Sequence, residues 1–321
     1  MPLPGKRAKK IIARDRRFTS SSYIKEYPLV IARGRGAVVE DVDGNRFLDF
    51  MAGIAVNITG YSHPKVVRAV KAQSEKFFHI CSTDFYYEPF ANLAERLVKM
   101  ISMEGEKSVF FTNSGAEAIE TAIKLVRYYT KRPYIISFLG AFHGRTMGAL
   151  SLTASKAAQR TRFSSFLPGV YHIPYGYCYR CPYNLSYGSC GIHCAEAIEK
   201  VFCQTLMGPR EIAAIFIEPI LGEGGYILPP PEFHQKLKEF AAKYGVLYVV
   251  DEVQSGMGRT GKFLAIENFG VEPDVVVLAK GLASGLPLGA VVSKKKYMSW
   301  KAGTHGSTFG GNPLACEAAM V

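Results

Sequence analysis

The chain has 321 residues, 48% of them hydrophobic, 12% aromatic and 21% charged, which suits a folded protein with a full core and argues against disorder. No apolar stretch is long enough to cross a bilayer, since even Ile212–Leu221 is broken by Glu218 and Pro219. The basic start lacks the apolar segment of a secretory signal, so the expectation is a cytoplasmic protein with no membrane partner.

The net charge is +12, and half of the surplus falls in residues 1–17, where Lys6, Arg7, Lys9, Lys10, Arg14, Arg16 and Arg17 stand against Asp15 alone. Residues 1–26 are read as a solvated or substrate-steering tail. A nucleic-acid arm is set aside because no nucleic-acid motif accompanies the charge. After the tail, Ala37–Val42 and Arg46–Phe50 read as two short strands around the turn Asp43-Gly44-Asn45. Helical spacing follows Pro64 and returns over Phe90–Met100. Ser108–Thr112 then reads as a strand, Ala116–Tyr129 as a helix and Tyr134–Phe138 as a strand. Ala214–Ile217, Val246–Val250 and Val275–Leu278 are short apolar runs, with a helix over Phe233–Tyr244 between the first two, and Leu288–Val292 is one more strand candidate. Apolar runs alternating with amphipathic helices predict an α/β fold with a mainly parallel sheet covered on both faces. Asn312-Pro313 opens a helix that reaches Val321 without a Gly or polar stop, which reads as an incomplete chain.

Three segments carry chemistry. In Asn113-Ser114-Gly115-Ala116-Glu117, a helix starts with free N–H groups at the positive end of its dipole, a seat for phosphate, and Gly115 allows close backbone approach. Ser114 and Glu117 equally fit an ordinary capping box. Asp251 follows the run Val246–Val250, and Lys280 follows Val275–Ala279, so both stand past the ends of apolar strands, where open α/β sheets bind ligands. A buried Asp can keep a heteroaromatic ring nitrogen protonated, and a partly desolvated Lys can form a Schiff base; a helix cap and a surface charge are the plain alternatives.

These residues, together with Phe50–Val56, Phe142-His143-Gly144-Arg145-Thr146, Glu218–Gly225, Val250–Gly256 and Gly306–Pro313, resemble the class III, or ω-, aminotransferases with the type I pyridoxal-phosphate fold. That group includes 4-aminobutyrate, ornithine and acetylornithine aminotransferases. The resemblance runs from about Tyr27 to the last residue. It implies pyridoxal 5′-phosphate as cofactor and a ping-pong transfer from an ω-amino acid to a keto acid such as 2-oxoglutarate. Lys280 would bind the cofactor covalently and then serve as general base and acid. Asp251 would face the ring nitrogen, Gln254 the phenolic oxygen, and Val253 and Phe142 the two ring faces, with His143 shaping the turn. Ser114, Gly115 and Ala116 would hold the phosphate. Thr308 resembles a threonine that reaches the partner subunit's phosphate, which implies a homodimer. Arg145, Glu223 and Ile54 would meet substrate, and a second arginine of the family lies beyond Val321. The implied division is a segment of the small domain over 27–63, a large cofactor-binding domain over 64–310, and the start of the C-terminal small-domain part over 311–321. A racemase of the same fold is the alternative activity.

Four cysteines cluster as Cys178-x2-Cys181-x8-Cys190-x3-Cys194, with His172 and His193 nearby. A metal site, structural disulfides and plain thiols all fit this spacing, so the metal assignment stays open. The region also resembles mammalian-type 4-aminobutyrate aminotransferases, in which a Cys-x-x-Cys shares an iron–sulfur cluster across the dimer. Cys81, Cys203 and Cys316 read as packed small hydrophobes.

Overall fold

A computed structural model describes residues 3–321. The stretch expected to be a tail contains helix α1 (Lys6–Phe18), which buries only Ala8. Its N-terminus is capped from a distance: the Asp43 carboxylate accepts the N–H groups of Arg7 and Ala8, each at 2.9 Å. Asp43 lies in the turn of a small antiparallel sheet made by β1 (Ile31–Arg35), β2 (Val38–Asp41) and β3 (Arg46–Leu48). That turn is held in its own right, because Asp41 Oδ1 accepts the N–H groups of Asp43 and Asn45 at 2.9 and 2.8 Å.

The irregular turn α2 (Ala52–Ala55) leads to α3 (Pro64–Ser74) and α4 (Glu88–Met100), each with a proline in its first turn, where no backbone donor is needed. The large sheet follows: β4 (Lys107–Thr112), then α5 (Gly115–Thr130), β5 (Tyr134–Phe138), α6 (Met147–Leu152) and β6 (Val170–Ile173). The short helices α7 (His193–Ala197) and α8 (Cys203–Thr205) precede β7 (Ile212–Ile217). The chain then forms α9 (Phe233–Tyr244), β8 (Leu247–Asp251), β9 (Val275–Leu278), β10 (Gly289–Lys294) and α10 (Pro313–Met320). α9 stops where the sequence supplies Gly245, whose φ of 64° is left-handed.

The seven strands lie in the order β4-β10-β9-β8-β7-β5-β6. Every strand runs parallel to the rest except β10, which is antiparallel to both of its neighbours. β7, β8 and β9 are buried at every residue because alternate side chains enter two separate cores. Phe216, Val249 and Val277 pack with Ile119, Ala122 and Val126 of α5 on one face. Ile217, Val250 and Leu278 pack with Leu97 of α4 and Phe233 and Leu237 of α9 on the other. The expectation of a mainly parallel sheet covered on both faces is met. Among the described residues no helix is long and apolar enough to cross a membrane.

Candidate active site

Because the strands are parallel, β4, β5, β7, β8 and β9 deliver their C-terminal ends to one edge of the sheet. A cavity of about 450 Å³ opens there, lined among others by Ser114, Phe142, Glu218, Asp251, Gln254 and Lys280. Asp251 is the last residue of β8 and is 3% exposed. Its Oδ2 is 2.7 Å from His143 Nδ1, and its Oδ1 accepts the Val253 N–H at 2.9 Å. His143 is buried, and its Nε2 has no partner among the described residues. Burial alone would depress this imidazole, but the Asp251 hydrogen bond and the charges of Asp251 and Glu218 outweigh it and hold its pKa above the ordinary value.

Lys280 stands two residues past β9, with a φ of 44°, and donates to Gln254 Oε1. Burial holds its amine below the usual lysine range, against the opposing pull of Asp251, Glu218 and Glu223. A lowered pKa leaves more neutral, nucleophilic amine near neutral pH. At the N-terminus of α5, Ser114 Oγ accepts the Glu117 N–H at 3.2 Å while Glu117 accepts the Asn113 N–H at 3.0 Å. The Ser114 half of the capping box is therefore formed, while Glu117 reaches back to the residue before the cap rather than to the Ser114 N–H. Gly115 and Ala116 line the cavity, and their first-turn N–H groups find no backbone acceptor among the described residues, so they could hold an anion. Gly115 has a packing reason too: a Cβ there would approach Val253 Cγ1 to 3.0 Å.

Ser114, Gly115, Ala116, Phe142, His143, Arg145, Glu223, Asp251, Val253, Gln254 and Lys280 thus share one cavity. Arg145 and Glu223 sit at its exposed mouth, Arg145 with its guanidinium carbon 5.6 Å from the Phe142 ring centre and Glu223 paired to Lys156 at 2.8 Å. Thr308 and Ile54 do not line it; both are exposed, and Val56 lines the cavity in place of Ile54. The sequence reading missed Glu218 as a site group. Glu218 directly follows β7, the same signal that singled out Asp251 and Lys280. Burial, opposed by His143 and reinforced by the Asp251 charge, pushes its carboxyl up to about 7.

The four clustered cysteines line a separate narrow cleft with Tyr183 and His193, and all seven cysteines are free thiols. Among the described residues no three His, Cys, Asp or Glu side chains are grouped to hold a metal ion. His172 stands on β6, where its Nε2 is 3.1 Å from the Leu152 carbonyl oxygen.

A helix N-terminus with open amides, a buried acid and a desolvated lysine meet at one edge of a mainly parallel sheet, the place where open α/β enzymes bind their ligands. The sequence profile described as Aminotransferase class-III matches residues 20–321. Acetylornithine aminotransferase of Methanopyrus kandleri is 44% identical, covering 91% of this chain and 69% of the relative. Alanine/serine racemase of Pyrococcus horikoshii is 40% identical, with shares of 98% and 68%. 4-Aminobutyrate aminotransferase of Mycobacterium leprae is 42% identical, with shares of 92% and 66%. The solved structure of a thermostable (S)-enantioselective ω-transaminase from Thermomicrobium roseum superposes with a TM-score of 0.89 at 32% identity, covering 98% of this chain and 73% of that one. The chain belongs to the class III aminotransferase family, whose cofactor is pyridoxal 5′-phosphate. It spans about two thirds of the length of the curated relatives named here.

Proposed function

We propose that this chain serves a transaminase that moves an amino group from an ω-amino acid of the 4-aminobutyrate or ornithine type to a keto acid such as 2-oxoglutarate. The observation that carries the reading is the convergence of the Lys280 amine and the Asp251 carboxylate on one cavity whose far wall is a helix N-terminus. The lining suits a flat phosphorylated ring. Gly115 and Ala116 offer amides to the phosphate, Val253 and Phe142 offer apolar surface to the two ring faces, and the free amine of Lys280 suits an aldehyde. Bound there, the cofactor supplies an electron sink for negative charge developing on the substrate carbon.

The protein's own groups divide the remaining work. Asp251, fixed by His143 and the Val253 amide, would keep a proton on the ring nitrogen. Lys280 Nζ, once displaced by the substrate amine, would take a proton from the substrate carbon and return it elsewhere, with Gln254 steadying it in its resting position. Arg145 at the mouth offers a planar donor pair to a distal carboxylate. Thr308, exposed and outside this cavity, is proposed to reach the site of a second copy, so that the working unit is a homodimer. Ile54, two residues from the cavity-lining Val56, stays a proposed substrate contact. We further propose that residues 27–63 and 311–321 belong to a smaller domain beside the 64–310 unit.

The test is borohydride reduction of the protein with pyridoxal 5′-phosphate, followed by peptide mapping. The expected label is on Lys280, and a label elsewhere or none at all refutes the assignment. A screen of amino donors with 2-oxoglutarate then fixes the substrate class. Racemisation is the second reading, favoured by the identity with the Pyrococcus horikoshii relative named for it. A single enantiomer incubated without keto acid separates the two: inversion means racemase, and no change until 2-oxoglutarate is added means transaminase.

A further inference from the structure

Glu218 is 4% exposed, and its two carboxylate oxygens are divided between two loops. Oε1 accepts the Phe142 N–H at 2.8 Å, and Oε2 accepts the Gly222 N–H at 2.9 Å. These loops flank the cavity and touch elsewhere, since a Cβ at Gly224 would come within 2.4 Å of the Gly140 carbonyl oxygen. The second loop also presses on the residue that holds Lys280, because a Cβ at Gly222 would lie 2.6 Å from Gln254 Nε2. The backbone beneath Glu218 is anchored independently. Tyr175 Oη donates to the carbonyls of Glu218 and Pro219 at 3.1 and 3.0 Å. Among the described residues no Lys or Arg pairs with the buried Glu218 carboxylate. An acid buried without a bonded cation costs stability, so its retention calls for a use at the site.

We infer that Glu218 is a positioning residue: its carboxylate brackets the Phe142 and Gly222 amides, fixing the ring-facing loop against the loop that carries Glu223 and braces Gln254. The inference deepens the assignment of the cavity to pyridoxal phosphate and rests on it. Displacement of either loop reaches the cofactor, through Phe142 on one side and through Gln254 and Lys280 on the other.

Glu218→Gln tests this. The amide matches the carboxylate in size but can accept from only one of the two N–H groups, leaving two donors facing each other. The expected result is a cofactor affinity about ten- to a hundredfold weaker, in line with a lost buried hydrogen bond to a charged group. The visible circular dichroism band of the bound cofactor should weaken, and KM for the amino donor should rise more than kcat falls. Glu218→Asp keeps both acceptors but shortens their reach, and gives the same directions if Glu218→Gln does not fold. Tyr175→Phe is the structural comparison, expected to lower the melting midpoint while leaving affinity and dichroism as in the parent. Parental affinity, dichroism and KM in Glu218→Gln would overturn the inference, as would equal changes in Tyr175→Phe. A parent protein that takes up no cofactor would remove the cavity assignment and this inference with it.

Discussion

The seven-stranded sheet and the N-terminal region before Pro64 were built from the same residue alphabet by different means. In the sheet, the central strands β7 and β9 are continuous apolar runs, and each face has its own core. In the N-terminal region, α1 buries one residue, β1 is mostly exposed, and side-chain carboxylates do the organising: Asp43 caps α1, and Asp41 closes the β2–β3 turn. Burial therefore carries the first region, and local hydrogen bonds to charged oxygens carry the second. The lesson is that a site needing fixed distances is hung on the first kind of structure.

That contrast can be tested from its strongest point downward. Lys280→Ala removes the only side chain proposed to bind cofactor covalently and to shuttle the proton. Amino transfer is expected to fall by at least about 10²–10⁴-fold, with loss of the bound cofactor's visible absorbance; steady-state kinetics and spectra check both. Phe216→Ala opens a void in a fully buried strand and is expected to cost about 3–5 kcal/mol in denaturant unfolding.

Glu252 gives a pH-dependent probe of the same region. Its carboxyl accepts from Ser255 Oγ at 2.7 Å and the Ile266 N–H at 2.8 Å, yet burial pushes it from 4.5 up to about 7. The folded state then binds this proton more tightly than the unfolded chain. Its contribution is fully present below about pH 4.5 and is lost as pH rises through 7. Glu252→Gln keeps the neutral form, so its stability relative to the parent should improve between pH 5 and pH 8 by something on the order of 3 kcal/mol. Melting curves across that range check the sign. The smallest effect belongs to the N-terminal region: Asp43→Ala should fray α1 at a cost of about 1 kcal/mol, read by amide exchange at Arg7 and Ala8, with the sheet unaffected.

Much of the sheet was legible in the sequence because apolar periodicity is a local signal, and β5, β9 and α9 fall on the predicted boundaries. Helix α1 was not legible as a docked helix, since its cap lies 36 and 35 residues away from the amides it holds. The Asp43 carboxylate also needs Gly5, where a Cβ would sit 2.3 Å from Asp43 Cγ. Strand β6 escaped because its Val170–Ile173 segment mixes polar and apolar residues among turns. In the site, Asp251 and Lys280 were readable from their place at strand ends. The division of the Glu218 oxygens between two loops was not, because partners 76 and 4 residues away leave no spacing rule to follow.

The reversed direction of β10 has a mechanical outcome. The segment Ala279–Leu288 leaves β9 and returns at once as the neighbouring strand, with Leu278 and Ala290 side by side. Lys280 is thereby carried on a short span clamped at both feet in the rigid floor of the molecule, and the span's far limb, Gly285–Leu288, forms part of the cavity wall. The main chain under the amine has little slack. The swing that takes the amine from one bonding partner to the next must be made by the four methylene groups of the lysine itself.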